Sequence, residues 1–219
     1  MVDYAQVRRN MVESQLRANG VTDPAVTAAF LAVPREAFVP PAQRAIAYVD
    51  EDLSVKPGRY LMEPMVFGKL VRLAGIHPDD RVLHVGCGVG YGSAVLGRLA
   101  AAVIALEEDP ELAAMAEQAL AETGTENVRV VTGPLADGLP GEGPYDVVFV
   151  EGAVDVVPPA LQEQVAKDGG RLVAVVRDPR GVGHGTLFLR EHGVLSDRPD
   201  FDASTPLLPG FARRPSFVF

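Results

Sequence analysis

The chain has 219 residues, of which 47% are hydrophobic, and it carries a formal net charge of −9. This apolar content is sufficient for one globular domain with a full core, and the sequence contains no apolar run long enough to span a bilayer. The acidic balance disfavours nucleic acid and anionic membrane surfaces as partners, because phosphate binding requires clustered Lys and Arg.

A single cysteine excludes an internal disulfide bond, which is typical of a cytoplasmic protein. The N-terminal segment MVDYAQVRRNMVESQ carries charges where a signal peptide needs an apolar stretch. We therefore expect the protein to remain in the cytoplasm.

The N-terminal part of the chain shows helical signals followed by frequent prolines. An apolar stripe at helical spacing predicts a helix from Tyr4 to about Asn19. A second short helix is expected over TDPAVTAAFLAVP, with Pro24 at its first helical position. The prolines that follow interrupt the chain too often for a regular strand or a long helix. We therefore expect residues 1–62 to form a helical cap with irregular loops, and residues 63–219 to form one compact Rossmann-like unit.

From Pro64 onward, helical and strand patterns alternate. EPMVFGKLVRLAG, YGSAVLGRLA, DPELAAMAEQALAETG and PPALQEQVA predict helices, while RVLHV, AVIAL, VRVVT, YDVVFV and GGRLVAVV predict strands. Such alternation implies parallel pairing with right-handed crossovers, hence an α/β fold with a doubly wound sheet. GTLFLREHG and the C-terminal tail are expected to supply antiparallel edge strands. The apolar stripe of the third of these helices is predicted to contain Leu112, Met115, Ala116, Ala119 and Leu120.

A glycine-rich turn follows the strand RVLHV. Without a Cβ atom, Gly86, Gly88 and Gly90 let the chain turn sharply and let a ligand lie against the N–H groups that start the next helix. A dinucleotide fingerprint would place its third glycine at Tyr91, so the spacing argues against an NAD-dependent oxidoreductase. Glu107 ends the next strand, 21 residues after Gly86, where a carboxylate can accept from both ribose hydroxyls of a nucleoside ligand.

Two other reactive residue types show no catalytic or metal-binding pattern. Cys87 lies in the glycine turn without a base partner in the local sequence, so we interpret it as a small residue beside the ligand. The four histidines lack metal-ligand spacing, and we therefore predict no metal site.

Three segments of the chain resemble, in register, the protein-L-isoaspartate O-methyltransferase family. They are RRNMVESQLRANGVTDPAVTAAFLAVPREAFVPPAQRAIAYVDEDL, VLHVGCGVGYGSAVLGRLA and GPYDVVFVEGAVDVVPPALQEQVAKDGGRLVAVV. The resemblance implies a Rossmann-like methyltransferase that uses S-adenosyl-L-methionine to methylate a carboxylate of damaged peptides or proteins, an activity of protein repair. The cofactor-binding residues that it implies are His84, Gly86, Cys87, Gly88, Gly90, Glu107, Glu108 and Leu135.

The chain departs from the family pattern in its substrate loop. The loop reads PGRYLMEP, with Tyr60 and Met62 where the family typically has Thr and Ser. His84 stands where the family has an acidic residue, and Pro134 replaces the acid of a Gly-Asp-Gly motif near the adenine. The catalytic residues are therefore unknown. The substrate-loop candidates are Arg59, which can pair bidentately with a carboxylate, and Tyr60, which can donate one hydrogen bond.

Methyl transfer from a sulfonium to a carboxylate needs alignment more than a strong base, since a carboxylate is already ionised at neutral pH. An isoaspartyl O-methyltransferase is therefore the first hypothesis. The altered loop leaves open a methyltransferase with a different acceptor, or a non-catalytic module that binds S-adenosyl-L-methionine. The sequence is compatible with a monomer or a homodimer.

Overall fold

The alternating strands and helices that begin at Pro64 build a seven-stranded sheet, and a separate two-stranded hairpin precedes it. The computed structural model describes residues 2–213 of the chain. The strands are β1 (Leu53–Lys56), β2 (Arg59–Leu61), β3 (Arg81–Val85), β4 (Ala102–Glu107), β5 (Val128–Thr132), β6 (Val147–Val154), β7 (Arg171–Arg177), β8 (Gly183–Glu191) and β9 (Val194–Ala203).

The large sheet has the order β5-β4-β3-β6-β7-β8-β9. Strands β3 to β7 are parallel, whereas β8 and β9 pair antiparallel. The direction of winding reverses between β3 and β6, which confirms the predicted doubly wound α/β fold. In such sheets a ligand binds beyond the carboxyl ends of the strands at this reversal point.

The helices are α1 (Tyr4–Met11), α2 (Pro24–Ala32), α3 (Pro64–Ala74), α4 (Tyr91–Gly97), α5 (Pro110–Glu122) and α6 (Pro159–Glu163). Helix α1 continues as a π-helical turn and then a 3-10 turn that ends at Asn19. Together these segments span the helix that was predicted from Tyr4 to about Asn19. In α2, Asp23 is the N-cap, and its side chain accepts from the N–H groups of Ala25 and Val26.

The predicted buried face of α5 was wrong at one position. Met115 is 38% exposed, while Ala113 is buried. The buried face is centred on Leu112, Ala116 and Ala119. Met115 lies at the border between this face and the solvent-exposed face of the helix.

Two predictions about strands also required correction. The segment before Pro64 was expected to contain no regular strand, but it contains the hairpin β1–β2. Pro57 and Gly58 lie between the two strands, and a Pro-Gly pair is typical of a tight turn. Strand β8 was expected at an edge, but it pairs on both sides, and β9 is the edge strand. Beyond β9, the tail forms a bridge between Leu207 and Ala153 of β6.

The N-terminal cap shares a hydrophobic core with one face of the sheet. Phe30 of the cap packs edge-on against Phe67 of α3, and Phe67 packs in the same way against Phe149 of β6. Helix α6 and the tail residues Leu208 and Phe211 cover the other face. The domain boundary at residue 62 stays a prediction, since the cap and the sheet contribute to one continuous core.

One buried arginine joins the cap to the hairpin and to the glycine turn. The Arg35 side chain is completely buried, and its Nε and Nη2 atoms donate to the carbonyls of Ala47 at 2.6 Å and Met62 at 2.8 Å. Its guanidinium lies 4.7 Å from the ring centroid of Tyr91, the first residue of α4. The position of the cap over the sheet therefore depends on this side chain.

Arg35→Met is expected to destabilise the protein strongly. The substitution leaves two buried carbonyl groups without a donor, at a cost of about 1–3 kcal/mol each. Urea unfolding followed by circular dichroism measures this loss. Arg44→Met, at an exposed position of the same cap, is the control and should change the free energy of unfolding by less than about 0.5 kcal/mol. Equal stability of the two variants would show that Arg35 does not hold the cap.

Candidate active site

The glycine turn lies at the carboxyl end of β3, next to the reversal point of the sheet. Gly88 has a φ of 54°, and a Cβ atom placed on it would meet no atom within 4 Å. Gly90 has a φ of 89°, and its Cβ would lie 2.9 Å from the Cβ of Ala116 in α5. Gly90 therefore permits close packing of α5, whereas Gly88 leaves open space above the turn where a ligand can approach the backbone.

The carboxylate of Glu107 organises this end of the sheet. The side chain is fully buried at the end of β4. Its oxygens accept from the backbone N–H groups of Gly88 at 2.8 Å, Glu108 at 2.9 Å and Asp109 at 3.0 Å. The glycine turn and the start of α5 are thereby tied to the same carboxylate.

Arg59 of β2 completes the set of donors around Glu107. Its two terminal nitrogens form a bidentate ion pair with the two oxygens of Glu107, and the arginine side chain is only 7% exposed. Burial lowers the pKa of Arg59, but the hydrogen bonds and the charge of Glu107 outweigh that effect and hold the pKa above its usual value. The hairpin is therefore closed onto the site by a buried pair of opposite charges.

A second group of buried polar residues lies on the other side of the glycine turn. His84 of β3 is fully buried, with its Nδ1 at 2.8 Å from the hydroxyl of Ser93. Its Nε2 lies 2.9 Å from Oε2 of Glu151 in β6. This second contact is within ion-pair distance, and neither of its two atoms makes a hydrogen bond with a third described residue.

A small cavity of about 20 Å³ lies between the hairpin, the end of β6 and the C-terminal tail. Its volume is far below the about 300–1,000 Å³ that is usual for small-molecule pockets. The residues that line it are Asp52, Gly58, Arg59, Tyr60, Met62, Glu151, Gly152, Thr205, Pro206, Leu207 and Leu208.

The C-terminal tail closes the cavity from above. Leu208 donates its N–H to the carbonyl of Ala153 at 2.9 Å, and Ala153 donates to the carbonyl of Pro206 at 3.0 Å. The Leu208 side chain packs against Gly86 and Gly152, close to the glycine turn. The tail is thus an apolar cover over the ends of β3 and β6.

The structure brings most of the predicted site residues together. His84, the glycine turn, Glu107 and Arg59 lie around the ends of adjacent strands, and Tyr60 lies at the cavity with 40% of its surface exposed. Cys87 is buried inside the turn, and burial raises the pKa of its thiol, so it stays protonated. The roles of all these residues in binding cofactor or substrate stay predictions.

The other two predicted cofactor-binding residues differ in exposure. Glu108 follows the end of β4 and is exposed. Leu135 is buried in a 3-10 turn after β5, where it belongs to the core beneath that end of the sheet. Neither lines the cavity.

Sequence reasoning missed most of the residues that line the cavity, among them Asp52, Glu151 and Leu208. Glu151 had a recognisable signal, since it is the one charged residue in the otherwise apolar strand VVFVEGAV. A charge in a buried strand requires a partner and therefore indicates a site. The apolar tail FDASTPLLPGF, with its two prolines, is compatible with an edge strand, a cover over the substrate cleft or a chain end docked on the core, and its sequence does not single out Leu208.

Residues 2–213 contain no group of three His, Cys, Asp or Glu side chains arranged to hold a metal ion. None of the helices in this range is long and apolar enough to cross a membrane.

Comparison with known protein families gives a match over most of the chain. Residues 7–190 match a sequence model of protein-L-isoaspartate(D-aspartate) O-methyltransferase. A protein-L-isoaspartate O-methyltransferase of Koribacter versatilis is 40% identical over 179 residues, which cover 82% of this chain and 80% of the relative. Protein-L-isoaspartate O-methyltransferase 1 of an Anaeromyxobacter species is 42% identical over 193 residues, which cover 88% of each chain.

Solved structures show the same similarity. One protein-L-isoaspartate O-methyltransferase aligns with a TM-score of 0.81 and 26% identity, over 93% of this chain and 66% of that chain. A second structure, from Plasmodium falciparum and in complex with S-adenosyl-L-homocysteine, aligns with a TM-score of 0.78 and 18% identity. The second alignment covers 95% of this chain and 99% of that chain, and at this identity it concerns the fold alone.

The pH dependence of stability is expected to reflect Glu63, the N-cap of α3. Burial, together with the nearby carboxylates of Asp52, Asp50 and Glu51, raises the pKa of Glu63 from 4.5 to about 7. The folded state therefore holds this proton more tightly than the unfolded state does. Its contribution to stability is present below the unfolded pKa and is lost as the pH rises through about 7.

Glu63→Gln should flatten this decline in stability, because the glutamine cannot ionise. The measurement is thermal unfolding at several pH values between about 5 and about 8. Glu117→Gln, on the exposed side of α5, should keep the wild-type pH dependence. A wild-type pH dependence in the Glu63 variant would contradict the assignment.

Proposed function

The chain belongs to the protein-L-isoaspartate(D-aspartate) O-methyltransferase family, and we propose that its methyl transfer takes place in the cavity between Arg59, Glu151 and Leu208. Its activity is S-adenosyl-L-methionine-dependent O-methylation, and we propose that the acceptor is a carboxylate of a damaged peptide or protein. The observation that carries the proposal is the open space above Gly88 beside the buried carboxylate of Glu107.

The residues at the turn fit S-adenosyl-L-methionine. The bound cofactor supplies an electrophilic methyl group on a sulfonium, and its transfer to a carboxylate oxygen leaves a methyl ester and S-adenosyl-L-homocysteine. Gly88 has no side chain to fill the space above the backbone, and Glu107 offers a carboxylate of the kind that accepts from ribose hydroxyls. We propose that Gly86, Gly88 and Glu107 hold the adenosine end.

Arg59 regulates access to Glu107 in this proposal. The Glu107 carboxylate accepts five hydrogen bonds, two of them from Arg59 and three from backbone N–H groups. A carboxylate has about four lone-pair sites, so it has no capacity left for ribose hydroxyls while Arg59 is in place. Arg59 therefore has to leave Glu107, at least in part, when the cofactor binds, and this movement also enlarges the cavity.

The released guanidinium would remain in the cavity, where it can pair bidentately with the acceptor carboxylate. Tyr60 lies beside it and can donate one further hydrogen bond. Met62 and Leu208 are buried apolar residues that exclude water from the same space. Because the acceptor is already ionised at neutral pH, these residues need only align it and exclude water.

The family membership favours this activity over a methyltransferase with a different acceptor and over a non-catalytic module. We further propose that the protein acts in the cytoplasm as a monomer or homodimer, with residues 1–62 as a cap on the methyltransferase unit. The acidic composition supports acceptors other than nucleic acid.

Gly88→Val is expected to abolish binding of S-adenosyl-L-homocysteine in calorimetric titration. The valine side chain occupies the open space above the turn and is strained at a positive φ. Gly193→Val, in the β8–β9 hairpin, is the control, because that glycine also has a positive φ and free space around its Cβ position. The control should bind like the wild type, and NAD should bind to none of the three proteins. Undiminished binding by the Gly88 variant would place the cofactor elsewhere.

Arg59→Ala should separate cofactor binding from acceptor binding. We expect S-adenosyl-L-homocysteine to bind at least as tightly as to the wild type, because Glu107 regains acceptor capacity. The KM for an isoaspartyl peptide should rise about tenfold or more, since a charged hydrogen-bond partner of the acceptor is lost. Peptide methylation with labelled cofactor measures the KM. Lys56→Ala, whose ammonium pairs with Asp109 outside the cavity, should leave both quantities near wild type. Weaker cofactor binding with an unchanged KM would contradict the proposed role.

A further inference from the structure

Glu151 is a buried carboxylate that the arrangement around Glu107 does not use. It lies in β6, next to β3 at the reversal point of the sheet, and its side chain is 4% exposed. Glu151 also lines the cavity. A carboxylate that is almost fully removed from water normally has hydrogen-bond donors around it.

The Glu151 carboxylate faces the Nε2 atom of His84, which lies 2.9 Å from its Oε2 atom, within ion-pair distance. No other described residue donates a hydrogen bond to this carboxylate. The nearby Arg35 guanidinium donates from Nε and Nη2 to the carbonyls of Ala47 and Met62, and its buried Nη1 makes no hydrogen bond with a described residue. The carboxylate therefore keeps acceptor capacity beside the glycine turn, where a ligand can supply a donor.

The backbone around Glu151 makes room for its carboxylate. Gly92 lies in the first turn of α4, and a Cβ atom at this position would collide with Oε2 of Glu151. The same Cβ would lie 2.9 Å from the Cε1 atom of His84. The glycine at position 92 therefore allows the carboxylate and the imidazole to lie against the start of α4.

The order of the strands indicates which part of a ligand reaches Glu151. Glu107 is on β4, the glycine turn follows β3, and Glu151 is on β6, and these three strands are neighbours in the sheet. Consider a nucleoside ligand whose ribose lies at Glu107 and whose 5′ substituent crosses the glycine turn. The far end of that 5′ substituent then lies towards β6. In S-adenosyl-L-methionine that end is an amino acid, which carries an α-ammonium group with three N–H donors.

We propose that Glu151 accepts the α-ammonium group of the cofactor and so makes this site specific for ligands with an intact amino-acid end. The inference rests on the proposed function. His84 is a positioning residue, because its ring is held between Ser93 and Glu151 and its edge packs on Phe149. The carboxylate for the ammonium thus comes from β6, while the strand before the glycine turn carries a histidine.

The test is a double-mutant cycle between Glu151 and the amino group of the ligand. Calorimetry measures the affinity of the wild type and of Glu151→Gln for S-adenosyl-L-homocysteine and for its deamino analogue, in which hydrogen replaces the α-amino group. The wild type should bind the deamino analogue about tenfold or more weakly, because a charged hydrogen-bond partner is missing. Glu151→Gln should bind the two ligands with affinities within about twofold of each other.

Asp52→Asn is the matched control, since Asp52 is another carboxylate of the same cavity and lies on the hairpin side. It should keep the full preference for the amino group. If Glu151→Gln does not fold, Glu151→Asp, which keeps the charge but shortens the side chain, should show an intermediate preference. His84→Gln should reduce the preference as well, because the carboxylate loses the ring that positions it.

The possible failures are distinguishable. Absence of S-adenosyl-L-homocysteine binding by the wild type would contradict the proposed function itself. Binding without a preference for the amino group in the wild type would overturn the role of Glu151 and leave the proposed function intact. An undiminished preference in Glu151→Gln would likewise assign the ammonium to another group.

Discussion

The buried carboxylate of Glu107 is the interaction on which the site depends. A charge without access to water must be neutralised by donors, and Glu107 obtains them from β2, from the glycine turn and from the start of α5. In this arrangement, the same carboxylate therefore holds these three parts of the chain together. The position of the turn relative to the hairpin follows from the requirement that this carboxylate stays paired.

The reversal of strand order explains why carboxylates are found on both sides of the glycine turn. Parallel strands end at the same edge of a sheet, and the gap between the outgoing connections of β3 and β6 leaves that edge accessible. The cap, anchored by Arg35, and the tail, anchored at Ala153, cover this gap from two directions. A small apolar-covered space results, in which electrostatic interactions are stronger than in water.

Two of the residues at which the chain departs from the family pattern each contact a buried carboxylate. Arg59, in the altered substrate loop, pairs with Glu107, and His84, in place of an acidic residue, faces Glu151. In each case a charged or polar replacement is matched by a partner on a neighbouring element. The site thus retains two buried carboxylates, one on each side of the turn, although the strand before the turn supplies neither.

Local patterns in the sequence determined the alternation of helices and strands, the doubly wound topology, the glycine turn and the carboxylate at the end of β4. These features depend on residues close together in the chain, through backbone conformation and the period of the apolar residues. The same local reasoning placed Met115 inside and missed the hairpin, because a border position and a short strand are decided by what packs against them.

Only the tertiary structure decided that Arg59 pairs with Glu107, that Leu208 covers the turn, and that Glu151 faces His84. These contacts join segments that are distant in sequence, and the need to pair or cover buried groups becomes visible only when the strands are side by side. The sequence by itself therefore determined the glycine turn and the carboxylate of Glu107, but not that Asp52, Glu151 and Leu208 join the site. The packing of the sheet, the hairpin and the tail decided which of those groups are already paired and which are left to bind a ligand.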